Sequence, residues 1–374
     1  MTNSGRDSTD GKASRRKVGA VGPELQRMLD RAVSEGGVPG IVVVVNDMRN
    51  GAASRFGTAG VADRDAGGAR LPGHQFRIGS ITKTFVATVM LQLVAERMVD
   101  LDDSIDAWLP GVVDGDGYDS CAITIRQLLD HTSGIFNYID DYGSLDLGTT
   151  YVPEQLVGLA MSHPPMFQPG ADWAYSNTNY ILAGMIIEQA TGGTLAAEIA
   201  RRIADPLSLA DTYLPVGGDP VIRSAHSRHY TRFMVPDADA PIHDITSLDM
   251  SMFWAAGGMV STPGDLNDFF AALLAGQLIT VAEQREMFTT VETKNWIAHT
   301  RYGLGLSSIA LPGGATLWGM VGTMFGSQTA TYGSRNGQHL MTININGDWV
   351  AGPWEDPSGI FADLLAIEFS TNGA

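Results

Sequence analysis

Segments typical of β-strands lie near both ends of the sequence, and helical patterns fill the part between them. Near the N-terminal end, GIVVVVND and RFGTAGVADRD are bounded by Gly and Asn turns, and near the C-terminal end YGLGLSSI, ATLWGM, TATYGS and HLMTININ have the same character. Between them, ITKTFVATVMLQLVAERMVDL carries apolar residues at helical spacing. The pattern predicts an α/β lobe made from both termini, with a helical lobe inserted between them.

The length of the chain, 374 residues, suits one large core or two lobes. Residues 1–20 are polar, small and charged, which predicts a disordered tail. We expect one domain over 21–374. Its α/β lobe would comprise about 21–78 plus 296–374, and its mainly helical lobe about 79–295.

The formal charge of -17 argues against nucleic acid or an anionic membrane surface as a partner, and favours a small molecule or a protein. The first twenty residues lack the apolar run of a secretory signal, and no later stretch has membrane-helix length, so we expect a cytoplasmic protein. The single cysteine, Cys121, cannot form an internal disulfide and is expected to be a buried apolar residue.

The segment GSITKTF places Ser80 three residues before Lys83 at the predicted start of a helix. Residues three apart share a helix face, so the lysine can reach the serine hydroxyl. The unpaired N–H groups and the dipole of a helix start can stabilise an oxyanion and lower the pKa of a nearby lysine. A neutral lysine is a base, and the serine beside it is a candidate nucleophile. An ordinary helix cap followed by a solvated lysine is the alternative.

The context of this motif resembles the serine β-lactamase and penicillin-binding-protein superfamily, in its class C-like branch. That branch includes D-alanyl-D-alanine carboxypeptidases, family VIII esterases and several acyltransferases. The blocks that carry the resemblance keep the family's order from about Gly40 onward: FRIGSITKTF, LQLVAERMVDLDDSIDAWLP, ITIRQLLDHTSGI, FQPGADWAYSNTNYILAGMIIEQATG, PLSLADTYLP and AAGGMVSTPGDLNDFFAALLAGQLI. The resemblance implies a β-lactamase-like α/β fold with an antiparallel sheet flanked by helices, and an acyl-enzyme formed at Ser80.

The family's second motif, Tyr-x-Asn, matches Tyr175-Ser176-Asn177. The resemblance implies that Tyr175, as a phenolate or through a hydrogen bond to Lys83, takes the proton from Ser80 and passes it to the leaving group. A cationic neighbour can lower a tyrosine pKa enough for this role. Asn177 is implied to offer its amide to the substrate carbonyl region and to Lys83.

The third motif, usually Lys or His, then Thr or a small residue, then Gly, is incomplete in WGMVGTMFG. One register places Met320, Val321 and Gly322 at its positions, and another places Trp318, Gly319 and Met320 there. Both lack the basic residue that commonly binds the carboxylate of β-lactams and D-alanyl peptides. A backbone N–H at Thr323 can still complete an oxyanion hole with that of Ser80, and Met320 with Trp318 would offer apolar contact area to the substrate.

Two enzyme hypotheses follow. The first is acyl transfer from a small-molecule ester or amide to water or to an amine or alcohol acceptor, as in an esterase or a biosynthetic transacylase. The second, a D-alanyl-D-alanine carboxypeptidase or β-lactamase, is opposed by the missing cation and by the expected location. No cofactor is expected.

Other polar residues are not assigned chemistry. His131 is expected to be structural. The spacing of His226, His229 and His243 does not favour a metal site. This segment is expected instead to cover the substrate, with apolar contacts from Tyr230, Phe233 and Met234.

Overall fold

The computed structural model describes residues 17–49, 53–235 and 239–370. The α-helices are α1 (Pro23–Ser34), α2 (Thr82–Ala95), α3 (Ile105–Trp108), α4 (Ile125–Leu129), α5 (Pro153–Met161), α6 (Asn177–Thr191), α7 (Leu195–Ile199), α8 (Asp205–Leu207), α9 (Trp254–Gly257), α10 (Pro263–Leu274), α11 (Val281–Phe288) and α12 (Pro357–Ser370). Single 3₁₀ turns are formed by Gly79–Ile81, Tyr138–Asp140 and Tyr142–Ser144, and a π-helical segment by Ala200–Ala204.

The strands are β1 (Lys17–Ala20), β2 (Gly40–Asp47), β3 (Ala53–Asp63), β4 (Gly67–Ala69), β5 (Phe76–Arg77), β6 (Tyr230–Thr231), β7 (His243–Asp244), β8 (Val260–Ser261), β9 (Val291–Glu292), β10 (Thr300–Tyr302), β11 (Ser307–Ala310), β12 (Thr316–Met324), β13 (Ser327–Gly333) and β14 (His339–Ile345). Within the described residues, the main sheet has the order β1-β3-β2-β14-β13-β12-β11-β10-β9, with β4 beside β3. Its pairs are antiparallel except β1 with β3. Because β2 pairs with β14, the sheet joins the two ends of the sequence, which confirms the predicted α/β fold.

Helices cover both faces of this sheet. On one face, α1 and α12 pack together over β2, β13 and β14, where Leu29, Val43 and Leu364 are buried. The other face contacts α10 along β2, β13 and β14. A larger core on this side includes Phe85 and Phe269, whose rings stack 3.7 Å apart. Burial of apolar side chains in these two layers is the main term that stabilises the fold.

Helix α2 is apolar around its whole circumference, and almost all of its residues are buried. A helix with this pattern belongs in the interior, in contrast to the amphipathic surface helix α1. It packs beside α6, which is equally apolar and ends at Gly192 in a left-handed conformation. Ser80 lies just before α2 and Asn177 is the first residue of α6, so these two central helices fix the positions of both residues.

Two expectations are corrected by the structure. Residues 17–20, predicted to belong to the tail, form β1 and pair in parallel with 53–56 at the edge of the sheet, while residues 1–16 lie outside the described residues. Cys121 is exposed, because it lies in a surface turn after Asp119 instead of in the core. The lobe boundaries stay a prediction. Among the described residues, no helix has both the length and the apolar character needed to cross a membrane.

Candidate active site

Ser80 lies in the 3₁₀ turn that leads directly into α2. The turn begins at Gly79, whose φ of +53° is a left-handed value that glycine adopts at little cost. Ser80 is partly exposed, whereas its neighbours Gly79 and Ile81 are buried. The nucleophile candidate is therefore held on a rigid, buried helix start with its own side chain accessible.

Lys83 is one turn further along α2 and points back toward Ser80. Its Nζ lies 3.1 Å from Ser80 Oγ, 2.7 Å from Asn177 Oδ1 and 2.7 Å from the backbone oxygen of Ala256. The last two atoms can only accept hydrogen bonds. The serine hydroxyl can also donate.

The Lys83 side chain has no exposed surface. Burial lowers the pKa of Lys83 well below its ordinary value. A neutral amine has two N–H groups, which satisfy Asn177 and Ala256, and one lone pair, which is left for the Ser80 hydroxyl. The geometry is thus that of a lysine ready to accept the proton of Ser80.

Asn177 is the first residue of α6, and a second asparagine fixes its orientation. Asn137 Oδ1 accepts hydrogen bonds from the backbone N (2.9 Å) and from Nδ2 (3.2 Å) of Asn177. This pair of contacts leaves Oδ1 of Asn177 facing Lys83. The contact with Lys83 that the resemblance implied is present. The side-chain N–H bonded to Asn137 is not available to a substrate.

Tyr175 faces Lys83 through its ring, with the lysine Nζ 4.7 Å from the ring centroid. Its hydroxyl is buried and has no hydrogen-bond partner among the described residues. Burial raises the pKa of Tyr175 above its ordinary value, and the nearby Ser80 opposes this rise only in part. The expectation of a lowered tyrosine pKa is therefore wrong, because desolvation outweighs the effect of the neighbours. A neutral phenol beside a neutral amine fits both environments.

His131 supports the segment that carries Tyr175 and Asn177. Its Nδ1 is 3.2 Å from the backbone N of Ser176 and 3.1 Å from Nδ2 of Asn179. The ring lies 4.3 Å from that of Tyr175. Burial lowers the pKa of His131 well below its usual range, and a proton on Lys83 would lower it further. These contacts agree with the structural role expected for a neutral His131.

Strand β12 meets the Ser80 turn at Gly322. A Cβ on Gly322 would lie 1.9 Å from the oxygen of Ile78 and 3.1 Å from the backbone N of Ser80, so no other residue type fits without a backbone shift. A Cβ on Gly79 would in turn lie 3.0 Å from the backbone N of Thr323. The backbones of Ser80 and Thr323 are therefore neighbours, which favours the register Met320-Val321-Gly322 for the third motif.

Two residues predicted to contact substrate pack against other side chains of the protein. Trp318 precedes Gly322 by four residues, about 13 Å along the strand. Its ring packs against Phe288 with centroids 4.6 Å apart. Met320 has no exposed surface and belongs to the larger core. Strand alternation places both side chains on the same face as Gly322, where Met320 lies within the larger core and Trp318 packs against that core.

The histidine segment is also only partly as expected. His229 is buried, 3.3 Å from the guanidinium of Arg77, and the hydroxyl of Tyr230 accepts a hydrogen bond from the backbone of Arg64, so neither faces a substrate cavity. Phe233 and Met234 do line a cavity near the end of β12. In the described ranges 17–49, 53–235 and 239–370, no three His, Cys, Asp or Glu residues are grouped to hold a metal ion.

Three contributors were missed by sequence reasoning. The Ala256 carbonyl carries no side-chain signal, and Asn137 stands in a loop of ordinary composition. Trp296 stacks on Tyr175 with ring centroids 5.8 Å apart and planes within 13°. The sequence carried no signal for Trp296. The structure shows strained backbone close to it, because Asn295 and His299 have φ values of +49° and +61°.

Solved structures share this fold over nearly the whole chain. A D-stereospecific amidohydrolase from Streptomyces sp. is 40% identical with a TM-score of 0.83, covering 93% of this chain and 98% of the other. A D-amino acid amidase from Ochrobactrum anthropi SV3 is 27% identical with a TM-score of 0.79 and the same coverage.

Curated relatives include the esterase EstB of Burkholderia gladioli, 34% identical over 219 residues that cover 54% of each protein. Penicillin-binding protein 4* of Bacillus subtilis is 27% identical over 230 residues, 59% of this chain and 49% of that protein. The chain spans about half the length of these two relatives. The family model described as Beta-lactamase matches residues 25–348. The chain therefore belongs to the Beta-lactamase family, within the superfamily of serine β-lactamases and penicillin-binding proteins.

Proposed function

We propose that this enzyme cleaves small-molecule esters and amides through an acyl-Ser80 intermediate and transfers the acyl group to water or to an amine or alcohol acceptor. The observation that carries the proposal is the buried Lys83 amine, 3.1 Å from the Ser80 hydroxyl. A solvated lysine in a merely structural helix start would not need burial, and burial of an unused lysine is costly.

In the first step, Ser80 Oγ attacks the substrate carbonyl carbon while its proton passes to the neutral Nζ of Lys83. One C–O bond forms, and the carbonyl π-electrons move to the oxygen. The N–H groups of Ser80 and Thr323 are placed to stabilise this oxyanion, since their backbones adjoin at the Gly79 and Gly322 contact.

In the second step, the carbonyl re-forms and the bond to the leaving group breaks. The hydroxyl of Tyr175, which lies near Ser80, gives its proton to the leaving group. The proton held on Lys83 then restores the phenol through one water molecule, because no direct hydrogen bond joins these two side chains among the described residues. Water, an amine or an alcohol then repeats the sequence on the acyl-enzyme, with Lys83 again accepting the proton. The chain supplies the nucleophile and every acid and base of this scheme, and no cofactor enters it.

The relatives support a proposal for the substrate class. The Streptomyces structure named a D-stereospecific amidohydrolase is 40% identical and matches nearly full length. We propose amides and esters of D-configured amino acids as the first class to test, with simple esters second, as for the esterase relative. Release of an acyl group to an amine is part of the same proposal.

Intact-protein mass spectrometry tests the proposal. The wild type, incubated with an activated ester or a fluorophosphonate, should gain one acyl or phosphonyl group, and Ser80→Ala should gain none. Amide pairs of D and L configuration, with and without an added amine, would then show the donor preference and the acceptor. Labelling that persists in Ser80→Ala would contradict the nucleophile assignment.

A further inference from the structure

Two cavities lie beside the end of β12 that carries Thr323. The first, of about 460 Å³, is bordered by Phe325, Met252 and Phe233. The second, of about 540 Å³, is bordered by Thr323 and Trp296. Both have the size of ligand pockets. A carbonyl whose oxygen lies between the N–H groups of Ser80 and Thr323 has two substituents that must point away from each other.

The position of Tyr175 distinguishes the two cavities. Tyr175 returns the proton to the leaving group in the proposed reaction, and the Trp296 ring that stacks on it borders the second cavity. The leaving group is therefore directed toward the second cavity. The acyl group then points toward the first cavity.

The first cavity is suited to an apolar group. The segment between Asn137 and α5 contributes Ile139, Leu145 and Leu147 to its wall, and Met252 closes it from the side of α9. Among the described residues, none of the side chains that border this cavity carries a formal charge. Transfer of an aliphatic or aromatic side chain into such a wall is favourable, whereas a charged group would be desolvated without a partner.

The remaining wall comes from Phe233 and Met234, which have an unusual backbone. Their φ values are +53° and +56°, so two consecutive non-glycine residues adopt the left-handed conformation. Such conformations persist only when the surroundings hold them, and they cluster at ligand sites. The corner turns Phe233 edge-on to Phe325, with centroids 5.7 Å apart, and leaves Phe233 39% and Met234 46% exposed at the cavity mouth.

A buried carboxylate holds this corner. Asp348 accepts hydrogen bonds from the hydroxyl of Thr231, from the backbone N of Arg232 (3.0 Å) and from the backbone N of Gly326 (3.2 Å). The Thr231 hydroxyl oxygen in turn accepts a hydrogen bond from the backbone N of Phe233 at 2.7 Å. Thr231 thus connects the strained corner to the turn that follows β12.

We propose that the first cavity is the acyl subsite, that it selects acyl groups with a large apolar side chain, and that Thr231 and Asp348 are positioning residues that set this selectivity through Phe233. The inference rests on the acyl-Ser80 function proposed above. It adds the part of the substrate that is recognised and the residues that shape the recognition.

The test compares p-nitrophenyl phenylacetate with p-nitrophenyl acetate, as the ratio of their kcat/KM values. Leu147→Trp fills the cavity and should lower the ratio by at least roughly tenfold. Thr231→Val, which keeps the shape but removes the hydroxyl, should lower it in the same direction. Thr231→Ser, which restores the hydroxyl, should return it close to the wild-type value.

Acetate turnover separates the possible failures. Wild-type protein that is not acylated by the acetate ester would refute the proposed function itself. Acetate turnover retained in Leu147→Trp with an unchanged ratio would overturn the acyl subsite. An equally reduced ratio in Thr231→Val and Thr231→Ser would overturn the positioning role of the hydroxyl. If Thr231→Val also loses turnover of the acetate ester, the result for Leu147→Trp decides whether the first cavity is the acyl subsite.

Discussion

The amine of Lys83 lies 3.1 Å from the hydroxyl of Ser80, at the end of a side chain with no exposed surface. Its two shorter contacts, to Asn177 and Ala256, are with atoms that accept hydrogen bonds. Among the residues that the structure describes, no carboxylate lies at hydrogen-bonding distance from this buried amine. In this environment the neutral form is favoured, and the proton affinity of the amine becomes available for chemistry.

The acylation rate should follow the protonation of Lys83. Burial lowers the pKa of Lys83, so the amine becomes neutral at a pH well below the ordinary lysine pKa. The acylation rate should therefore rise with pH through the lowered pKa and then level off. Ionisation of Tyr175 should not reduce the rate below about pH 10, because its pKa is raised. Stopped-flow release of p-nitrophenol, with acylation followed between about pH 5 and pH 10, measures this profile. A rate that starts to rise only near the ordinary lysine pKa would contradict the neutral-amine assignment.

Removal of the Tyr175 hydroxyl should slow acylation or leaving-group release by roughly 10²–10⁴-fold, the range for loss of a general acid or base. Tyr175→Phe keeps the ring that stacks on Trp296 and faces Lys83. Tyr302→Phe is the matched control, because Tyr302 lies in the same aromatic cluster, 6.3 Å from Tyr175. Single-turnover kinetics should show the loss only in the first variant. Equal rates in both variants would remove Tyr175 from the mechanism.

Gly322→Ala should impair the oxyanion site and the fold together. The new Cβ would lie 1.9 Å from the Ile78 oxygen, and the resulting backbone shift should cost about 1–3 kcal/mol of stability and at least roughly 10²-fold in acylation. Gly158→Ala is the control, because no described atom beyond the adjacent residues and backbone of α5 lies within 4 Å of an added Cβ. Alanine there should stabilise the helix by about 0.5–1 kcal/mol. Urea unfolding and ester kinetics measure both effects.

Uncharged esters should acylate Ser80 much faster than nitrocefin does. The strand position that the resemblance assigns to a cation holds the buried Met320, so a β-lactam carboxylate would lose its hydration without that partner. Comparison of kcat/KM for p-nitrophenyl acetate and nitrocefin tests this. Nitrocefin turnover as fast as that of the best ester, and weakened in Arg232→Gln, would show that Arg232 in the second cavity replaces the missing cation.

The nucleophile and its base were predictable from the sequence because both lie in one continuous helical segment, the 3₁₀ turn that leads into α2 and the first turn of α2. Ser80 and Lys83 are three residues apart at a helix start, and helix geometry alone brings their side chains together. Tyr175 and Asn177 followed from the resemblance, since a second motif in the right order accompanied the first. The strand-forming segments at both ends of the sequence were equally clear, and the observed main sheet confirms the α/β fold predicted from them.

Strand register limited the rest of the prediction. Trp318, Met320 and Gly322 are two residues apart along β12 and therefore lie on the same face of the strand. The sequence does not show which of them lies beside Ser80. Only the contact of Gly322 with Ile78 decides this. Asn137 and Trp296 were missed for a related reason, because each reaches the site from a distant loop whose path depends on tertiary packing.

The pairing of β2 with β14 also has a consequence for biosynthesis. Residues 41–45 pair with 341–345, so their partner strand is synthesised about three hundred residues later. Until β14 leaves the ribosome, β2 presents an apolar edge of valines with unpaired backbone groups, the kind of edge that invites aggregation. The central strand pairing is therefore a late, high-contact-order event, and yield in a heterologous host should depend on how well chaperones shield the nascent Val42–Val45 segment.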